Sequence, residues 1–353
     1  MKFEITLKKN TEMNIPNLMK QWELSDFGLN NLKLNIVPVP TPGPKEVLVK
    51  TAAVSLNYRD HLVTSNGMGM PLAFPFVPAS DMSGAVVKIG SRVSRFKIND
   101  KVISTNIAGW IEGPAPSPDI APSLGGMGPG VLAEYVCLPE DWLSLAPKNL
   151  SPVESATLPC AGLTAWMAVF EKGKLKSNET LVVQGTGGVS LFAAQFAYSI
   201  GANILLTSSS DDKINRAKSL GISAGINRFN NEDWQHNVSQ LTSGRGADLI
   251  IEMAGSENLQ KSLDAVAQEG RIAIVGVLEA ADATLPIFKV LSKRSSLLGI
   301  GVGSRKSLEA MCSYIDLHEI RPVIDAIYRF EDSPKAFDHL KRGAFGKVVI
   351  EIQ

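Results

Sequence analysis

This 353-residue chain is 44% hydrophobic and 20% charged, as an ordinary globular protein of about two domains would be. Its 35 basic and 35 acidic residues balance, which excludes a net charge that would attract nucleic acid or an anionic membrane and leaves small molecules as the expected partners. The sequence shows no uninterrupted apolar run of membrane-span length and no signal-peptide core, and its three cysteines lack disulfide or C-x-x-C spacing, so we expect it in the cytoplasm.

The first part of the chain predicts a loose N-terminal tail followed by a β-rich domain. Residues 1–18 have no regular amphipathic pattern, which begins only near Trp22. From about residue 22 to 145, short β-rich runs are broken by Gly and Pro, a texture typical of a compact, barrel-like domain. The Gly/Pro-rich stretch 109–130 has no periodicity, and loops of that length are commonly functional, so we expect it to border a site.

Near residue 151 the pattern changes to strands that alternate with helix-length segments. This alternation predicts a parallel, doubly wound α/β sheet, because parallel neighbours need crossover helices. The apolar runs that mark its strands are 180–183, 203–207, 249–253 and 271–275. A further apolar run at 297–302 predicts a sixth strand.

The first of these strands runs into a glycine-rich turn that precedes a helix expected at 188–200. Gly185 and Gly187 permit a tight turn and a close approach of backbone to a pyrophosphate, and the N-terminal N–H groups of the helix would face that anion. Because Ser190 stands where the G-x-G-x-x-G pattern has its third glycine, the prediction depends on the strand–turn–helix context. The turn residues expected to bind a dinucleotide are Gly185, Thr186, Gly187, Gly188 and Val189.

The end of the second strand indicates which nicotinamide cofactor is used. NAD-specific sites carry an Asp or Glu there, on the ribose 2′-hydroxyl, whereas this chain has Ser208, Ser209 and Ser210. Hydroxyls, together with Lys213 and Arg228, would suit a 2′-phosphate, so NADPH is favoured, with NADH as the alternative. In a purely structural interpretation, Ser210 caps the next helix and Lys213 is solvated.

Three residues after later strands are candidates for cofactor contacts because ligands bind at the carboxyl ends of parallel strands. They are Gly255, Gly276 and Val277. The two glycines are equally explained as ordinary turn residues.

Several motifs, in the right order, resemble the medium-chain dehydrogenase/reductase superfamily, in the zinc-independent quinone oxidoreductase branch that includes zeta-crystallin. They are Asn-Tyr-Arg-Asp at 57–60, Leu-Pro-Cys-Ala-Gly-Leu-Thr-Ala-Trp at 158–166, the glycine turn, and Gly-Lys-Val-Val at 346–349. The resemblance implies a GroES-like domain at 19–152 and 305–353, a Rossmann domain at 153–304, and a homodimer formed through the strand near 297–302.

The resemblance also bears on metal. Zinc-dependent members carry a Cys in the segment equivalent to 55–60, Gly-His-Glu in that equivalent to 79–81, and a third ligand near Cys160. This chain has Asn57 and then Ala-Ser-Asp at 79–81. A catalytic zinc needs three ligands from Cys, His or carboxylate, so no metal is expected, and Cys160 is interpreted as a packing residue.

Without a Lewis acid, the favoured reaction is hydride transfer from NADPH to a quinone or an α,β-unsaturated carbonyl, whose oxyanion needs only hydrogen-bond donors and a proton. Asn57 and Tyr58 are the candidate catalytic donors, although Tyr58 is equally explained as a packed aromatic. The resemblance implies that Thr164 lies against the nicotinamide. Arg59 and Asp60 are interpreted as a structural ion pair or helix cap. The alternatives are an alcohol dehydrogenase or carbonyl reductase, and an NADPH-binding structural or RNA-binding protein.

Overall fold

The computed structural model describes residues 15–117, 120–276, 282 and 284–352. Its strands within these ranges are β1 (Leu18–Leu24), β2 (Leu32–Pro38), β3 (Glu46–Leu56), β4 (Asp81–Ile89), β5 (Lys101–Ser104), β6 (Tyr135–Pro139), β7 (Leu143–Leu145), β8 (Thr180–Gln184), β9 (Asn203–Ser208), β10 (Ala224–Asn227), β11 (Ala247–Glu252), β12 (Val266–Ile274), β13 (Ser296–Gly299), β14 (Ile324–Arg329) and β15 (Lys347–Glu351).

The α-helices of the same ranges are α1 (Tyr58–Asn66), α2 (Pro152–Ser155), α3 (Leu163–Trp166), α4 (Gly188–Ser199), α5 (Asp211–Ala217), α6 (Trp234–Leu241), α7 (Asn258–Ala265), α8 (Ile287–Lys293), α9 (Arg305–His318) and α10 (Ser333–Arg342). Two π-helical segments, Leu158–Gly162 and Met167–Glu171, flank α3. None of these helices in the described ranges is long and apolar enough to cross a membrane.

The β-rich part of the chain is built around the long strand β3. It pairs antiparallel with β4, β6 and β15, in a sheet ordered β14-β15-β3-β4-β5-β7. Because β15 lies next to β3, the C-terminal segment returns to the first sheet. The hairpin of β1 and β2 packs on the same hydrophobic core. The predicted tail 1–18 ends in ordered chain, since Leu18 already pairs with Pro38, while residues 1–14 lie outside the described residues.

The second sheet has six parallel strands in the order β10-β9-β8-β11-β12-β13. In chain order this is third, second, first, fourth, fifth and sixth, the arrangement of a dinucleotide-binding sheet. Helices cover both faces, which explains why its central strands are apolar throughout. The predicted doubly wound α/β class is therefore confirmed. The predicted boundaries were less accurate: β12 begins at Val266, and the sixth strand, expected at 297–302, is Ser296–Gly299.

The two sheets meet beside the glycine turn. Gly187 forms a bridge with Gly346, and Gly346 N donates to Thr186 O at 2.8 Å. This contact places the turn between β8 and α4 directly against the start of β15, so one end of the parallel sheet faces residues of the β-rich part.

Candidate cofactor and substrate site

The glycine turn presents bare backbone to open space. Gly185 has a φ of +76°, which favours glycine, and a Cβ added at Gly185 or Gly187 would meet no heavy atom within 4 Å. No side chain caps the N-terminus of α4, so its N–H groups are left for a ligand. Ser190 Oγ donates to Gln184 O at 2.7 Å and ties the helix to the end of β8. These features fit a pyrophosphate.

Gly188 is constrained for a different reason. A Cβ at this position would lie 2.6 Å from Lys347 Cδ and 3.2 Å from Ala161 Cβ. Lys347 itself is buried, and its ammonium donates to Leu56 O at 2.7 Å and to Asn57 Oδ1 at 2.5 Å. In the sequence, Lys347 stands out only as part of the Gly-Lys-Val-Val motif, and the one local signal of a role is a lysine directly before the apolar residues Val348–Ile350.

Asn57 lies between β3 and α1 and is only 7% exposed. Its backbone N–H donates to Asp60 Oδ2 at 2.8 Å, which caps the helix. Its side-chain Oδ1 is taken by Lys347, whereas Nδ2 is buried without a hydrogen-bond partner among the described residues. An unpaired buried donor lowers the free energy of unfolding by about 1–3 kcal/mol. Asn57 Nδ2 is therefore a candidate donor to a bound ligand.

Charged groups gather around this lysine. Asp81 accepts from Cys160 N at 2.9 Å and from Ser80 Oγ at 2.6 Å. Burial raises the pKa of Asp60 to about 6, opposed by the Arg59 guanidinium, and burial raises the pKa of Cys160 to about 12, so the thiol stays protonated. Burial lowers the pKa of Lys347, while Asp81, Cys160 and Asp60 act in the opposite direction.

Asn57, Asp81 and Cys160 lie in the three segments that carry the zinc ligands in zinc-dependent members. In this structure they surround the Lys347 ammonium group. In the described ranges no group of three or more His, Cys, Asp or Glu residues is arranged to hold a metal ion. Asn57 Oδ1 and the Asp81 carboxylate are already engaged by Lys347, Ser80 and Cys160. These residues do not fit a tetrahedral zinc site.

The two residues that follow Asn57 differ in placement. Tyr58, the first residue of α1, is 42% exposed, with its ring edge against His61, so it is not the packed aromatic of the alternative interpretation. Arg59 donates to Leu124 O at 3.0 Å and to Ser123 Oγ at 2.9 Å. Its Nη1 also lies 3.6 Å from Asp60 Oδ1, so the expected ion pair and helix cap of the 59–60 dipeptide are present.

A cleft of about 1110 Å³ opens beside this cluster. Arg59 forms part of its wall, together with apolar residues and the loop expected to border a site. The larger apolar side chains of the lining are Met68, Met70, Ile107, Trp110, Met127, Met167, Ile300 and Val302. At the exposed rim, Lys306 and Glu112 form an ion pair of 2.6 Å. The cleft is large enough for a bulky apolar substrate.

Thr164 lies in α3, which packs against α4, and its side chain is buried. The helix that carries Thr164 therefore contacts the helix that begins at the glycine turn. This placement is compatible with a contact to a nicotinamide bound there, and equally with the helix-packing role of a buried threonine.

The residues proposed for a 2′-phosphate converge at the end of β9. Ser208 Oγ accepts from Ser210 N, and Arg228 N donates to Ser208 O at 2.8 Å. Ser210 Oγ caps α5 by accepting from Lys213 N, as the structural interpretation expected. The Lys213 side chain is partly solvated, and its Nζ donates to Gly343 O at 2.9 Å in an exposed hydrogen bond. Ser209, half-buried, lies between Ser208 and the helix-capping Ser210.

The local backbone explains why glycine stands at positions 255 and 276. Gly255 has a φ of +76°, and its N–H donates to Glu252 Oε1 at 3.0 Å. A Cβ at Gly276 would lie 2.4 Å from Met253 O, so close packing of the strands already requires a glycine there. Val277 lies outside the described residues.

A polar network behind the glycine turn could not be recognised in the sequence. Buried Glu252 accepts from Gln184 Nε2 and Asn258 Nδ2, each at 2.9 Å, and from Ser262. A glutamate and a glutamine at strand ends gave no distinctive signal. The network ties β8, β11 and α7 together below the turn.

Comparison with known proteins shows the family to which this architecture belongs. Residues 43–148 match the family model of alcohol dehydrogenase GroES-like domains, and residues 188–316 match that of zinc-binding dehydrogenases. A zinc-type alcohol dehydrogenase-like protein of Schizosaccharomyces pombe is 37% identical over 334 residues, covering 92% of this chain and 96% of the relative. This chain belongs to the medium-chain dehydrogenase/reductase superfamily. The resemblance of its motifs to this superfamily, and the GroES-like plus Rossmann architecture, are confirmed.

Other relatives of this medium-chain dehydrogenase/reductase have varied names. A 2-methylene-furan-3-one reductase of Solanum lycopersicum is 29% identical, covering 97% of this chain and 81% of the relative. A quinone oxidoreductase of Sus scrofa is 25% identical, covering 89% and 91%. The crystal structure of a putative alcohol dehydrogenase from Sinorhizobium meliloti 1021 has a TM-score of 0.92 at 50% identity, covering 96% of this chain and 99% of that one. The medium-chain dehydrogenase/reductase described here is thus an NAD(P)H-dependent oxidoreductase.

Proposed function

We propose that this protein is an NADPH-dependent reductase that transfers hydride to a quinone or an α,β-unsaturated carbonyl without zinc. The observation that carries the proposal is the Lys347 ammonium bound to Asn57 Oδ1 among Asp60, Asp81 and Cys160. A buried ammonium there supplies positive charge but has no coordination position for an alkoxide. Alcohol oxidation would therefore lack its usual Lewis acid, whereas a conjugated acceptor needs only hydrogen-bond donors.

When bound, NADPH supplies the hydride, and the protein positions it and its acceptor. The open backbone of Gly185 and Gly187, with Thr186, Gly188 and Val189, would hold the pyrophosphate at the start of α4. Asn57 Nδ2 would donate to the nicotinamide ribose or to the substrate oxygen. The exposed phenol of Tyr58 would exchange with water the proton that completes the reduction.

The preference for NADPH is supported by the residues at the end of β9. Ser208, Ser209 and Ser210 offer hydroxyls and no carboxylate to a 2′-phosphate. Arg228 N donates to Ser208 O, and Lys213 N donates to Ser210 Oγ, so both cationic residues adjoin these serines. Cations near these hydroxyls favour a doubly charged phosphate over a ribose hydroxyl.

The acceptor class is supported by the names of two relatives. The tomato relative is named for a ketone whose methylene group is conjugated with the carbonyl, and the pig relative for quinones. The second candidate function is an alcohol dehydrogenase or carbonyl reductase, favoured by the names of the Schizosaccharomyces pombe and Sinorhizobium meliloti relatives. The two candidates share the cofactor site and differ in the use of the cleft.

A homodimer through β13 forms part of the proposal. β13 is the outermost strand of the parallel sheet, and an uncovered strand edge invites pairing. Beside it, α8 presents Ile287, Phe288 and Leu291 to solvent, and Phe288 is 78% exposed. A second copy of the chain would cover both the edge and these side chains. The three free thiols support the cytoplasm as the proposed location.

The test is the loss of NADPH absorbance with the purified full chain and a quinone, an enone or an aldehyde, with NADH run beside each. We expect turnover of quinone or enone with NADPH that a zinc chelator leaves unchanged. Activity only with aldehydes or alcohols, or only after zinc is added, would support the second candidate instead. Tight NADPH binding without any turnover would support a non-catalytic, NADPH-binding protein.

A further inference from the structure

We propose that Arg59 is the residue that binds the oxygen of the substrate and stabilises the oxyanion that forms on it. The proposal rests on the proposed function, because it names the group in the cleft that meets the acceptor. It assigns Arg59 a role beyond the structural ion pair that the sequence indicated.

The position of Arg59 in the cleft is the first observation. Its side chain is 19% exposed and lies in the cleft wall two residues after Asn57. The other charged residues of that wall lie at the exposed rim, where Glu112 pairs with Lys306 and where Glu171 and Lys172 are exposed. Arg59 is thus the charged group of the described cleft lining that is partly withdrawn from solvent.

The second observation is the number of donors left on the guanidinium. Arginine has five N–H groups, and Arg59 uses two of them, on Leu124 O and Ser123 Oγ. Asp60 Oδ1 lies 3.6 Å from Arg59 Nη1 and attracts the guanidinium electrostatically without a hydrogen bond. The guanidinium is therefore fixed in place and retains donors for a ligand, which is the preorganised arrangement that oxyanion stabilisation requires.

The chemistry of the acceptor matches such a group. Hydride adds to the β-carbon of an enone, the carbon–carbon π electrons move to form the enolate, and a proton from water then adds to the α-carbon. In a quinone, hydride and proton give the hydroquinone. In both cases negative charge develops on the oxygen, and a charge-assisted hydrogen bond to guanidinium is about twice as strong as a neutral one.

A purely structural role would account for the same two hydrogen bonds. Arg59 Nη2 would lie 2.9 Å from a Cβ added to Gly126, so the 123–126 loop packs closely on the guanidinium. The experiment must therefore separate the loss of the hydrogen bonds from Arg59 to the 123–126 loop from the loss of its positive charge. Ser123→Ala removes one of these hydrogen bonds and leaves the guanidinium, whereas Arg59→Gln removes the charge.

The first measurement is steady-state kinetics with an enone, on full-length variants whose melting temperatures and NADPH affinities are also recorded. Removing an oxyanion donor typically lowers kcat about 100-fold or more, and we expect this of Arg59→Gln with the Kd for NADPH unchanged. Arg59→Lys, which keeps the charge but loses the planar fork, should recover part of the loss. Ser123→Ala removes one of the two hydrogen bonds that hold the guanidinium and keeps its charge, so its kcat should fall by less than that of Arg59→Gln.

The second measurement needs neither turnover nor cofactor. 4-Nitrophenol becomes a coloured phenolate, and a site that binds oxyanions lowers the pKa of the bound probe. We expect the full-length protein to lower it and Arg59→Gln to abolish the effect. The proposal is overturned if Arg59→Gln keeps both kcat and phenolate binding, or if Ser123→Ala loses as much as Arg59→Gln. If Arg59→Gln does not fold, Arg59→Lys decides, because unchanged kinetics and probe binding in that variant contradict a planar oxyanion site.

Failure of the proposed function is distinguishable from failure of this inference. A chain that reduces neither quinones nor enones, yet binds the phenolate through Arg59, would contradict the function and keep the anion site. A chain that reduces enones equally well with glutamine at this position would keep the function and remove Arg59 from it.

Discussion

The Lys347 ammonium lies 2.5 Å from Asn57 Oδ1, and this hydrogen bond joins residues that are 290 positions apart in the chain. Because an ammonium group only donates, the contact fixes which end of the Asn57 amide is the oxygen. The Nδ2 donor is then left in a buried place without a partner among the described residues. The last strand of the chain therefore sets the orientation of a side chain at the candidate site.

Lys347→Met tests this relationship through stability. The change leaves Leu56 O and Asn57 Oδ1 without their donor and removes the positive charge that acts on Asp81 and Asp60, of which Asp60 keeps Arg59. Removing one partner of a buried charged group costs about 3–5 kcal/mol, so the free energy of unfolding in urea should fall by that order. Exposed Lys218→Met is the matched control and should change it by less than about 0.5 kcal/mol. A Lys347→Met variant as stable as the wild type would show that the ammonium is dispensable.

Asp60 predicts a pH dependence of stability. Burial raises its pKa to about 6 in the folded protein, above the ordinary carboxyl value. The folded state therefore binds the proton more tightly, so this contribution is fully present below about pH 4 and is lost as the pH rises through about 6. Its size is about 3 kcal/mol, since two units of pKa at 1.36 kcal/mol each separate the two states.

The check is urea unfolding of the wild type and Asp60→Asn between about pH 4 and 7. Asparagine mimics the protonated acid, so the wild type should lose stability relative to this variant across that window. Asp26→Asn, at an exposed position, should run parallel to the wild type. Parallel curves for Asp60→Asn would mean that this carboxyl titrates normally.

Much of the parallel sheet could be predicted because strands covered on both faces read as apolar runs. The run at 180–183 is β8, Thr180–Gln184, almost residue for residue. The contacts that shape the site could not be predicted, because they join distant segments. Nothing local to Gly188 shows that Lys347 fills the space beside it. Arg59 likewise reads as half of an ion pair until the cleft beside it is visible.

Adjacent glycines of the turn should respond differently to alanine. Gly187 has a φ of −77°, and its Cβ would meet no atom within 4 Å, so Gly187→Ala should leave the melting temperature unchanged. Its methyl group would project where the pyrophosphate is proposed to lie, and we expect NADPH affinity to fall about tenfold or more, equivalent to about 1.4 kcal/mol.

Gly188→Ala is the counterpart. Its Cβ would lie 2.6 Å from Lys347 Cδ, so overpacking should lower stability by about 1–3 kcal/mol. Calorimetry and NADPH titration of both variants provide the comparison. The same melting temperature for both, or unchanged NADPH affinity in Gly187→Ala, would contradict the proposed division of roles.

The proposed dimer depends on exposed side chains of α8. Phe288→Glu combined with Leu291→Glu places two charges on the apolar face beside β13 and should convert a dimer into a monomer. Light scattering after size-exclusion chromatography measures the mass. Exposed Phe229→Glu, on the opposite edge of the sheet near β10, is the control and should keep the dimer. A monomeric wild type would remove this interface from the proposal.

Cofactor preference depends on the absence of a carboxylate at the end of β9. Ser208→Asp introduces one beside the backbone of Ser210 and Arg228, where it would repel a 2′-phosphate and accept from a ribose 2′-hydroxyl. The ratio of kcat/KM for NADPH to that for NADH should fall about tenfold or more, since one unfavourable charge contact of about 1.4 kcal/mol has that effect. Ser208→Asn is nearly the same size without the charge, so it separates repulsion from crowding in this buried position. If asparagine shifts the ratio as far as aspartate does, crowding is the cause, and an unchanged ratio with aspartate would place the 2′-phosphate elsewhere.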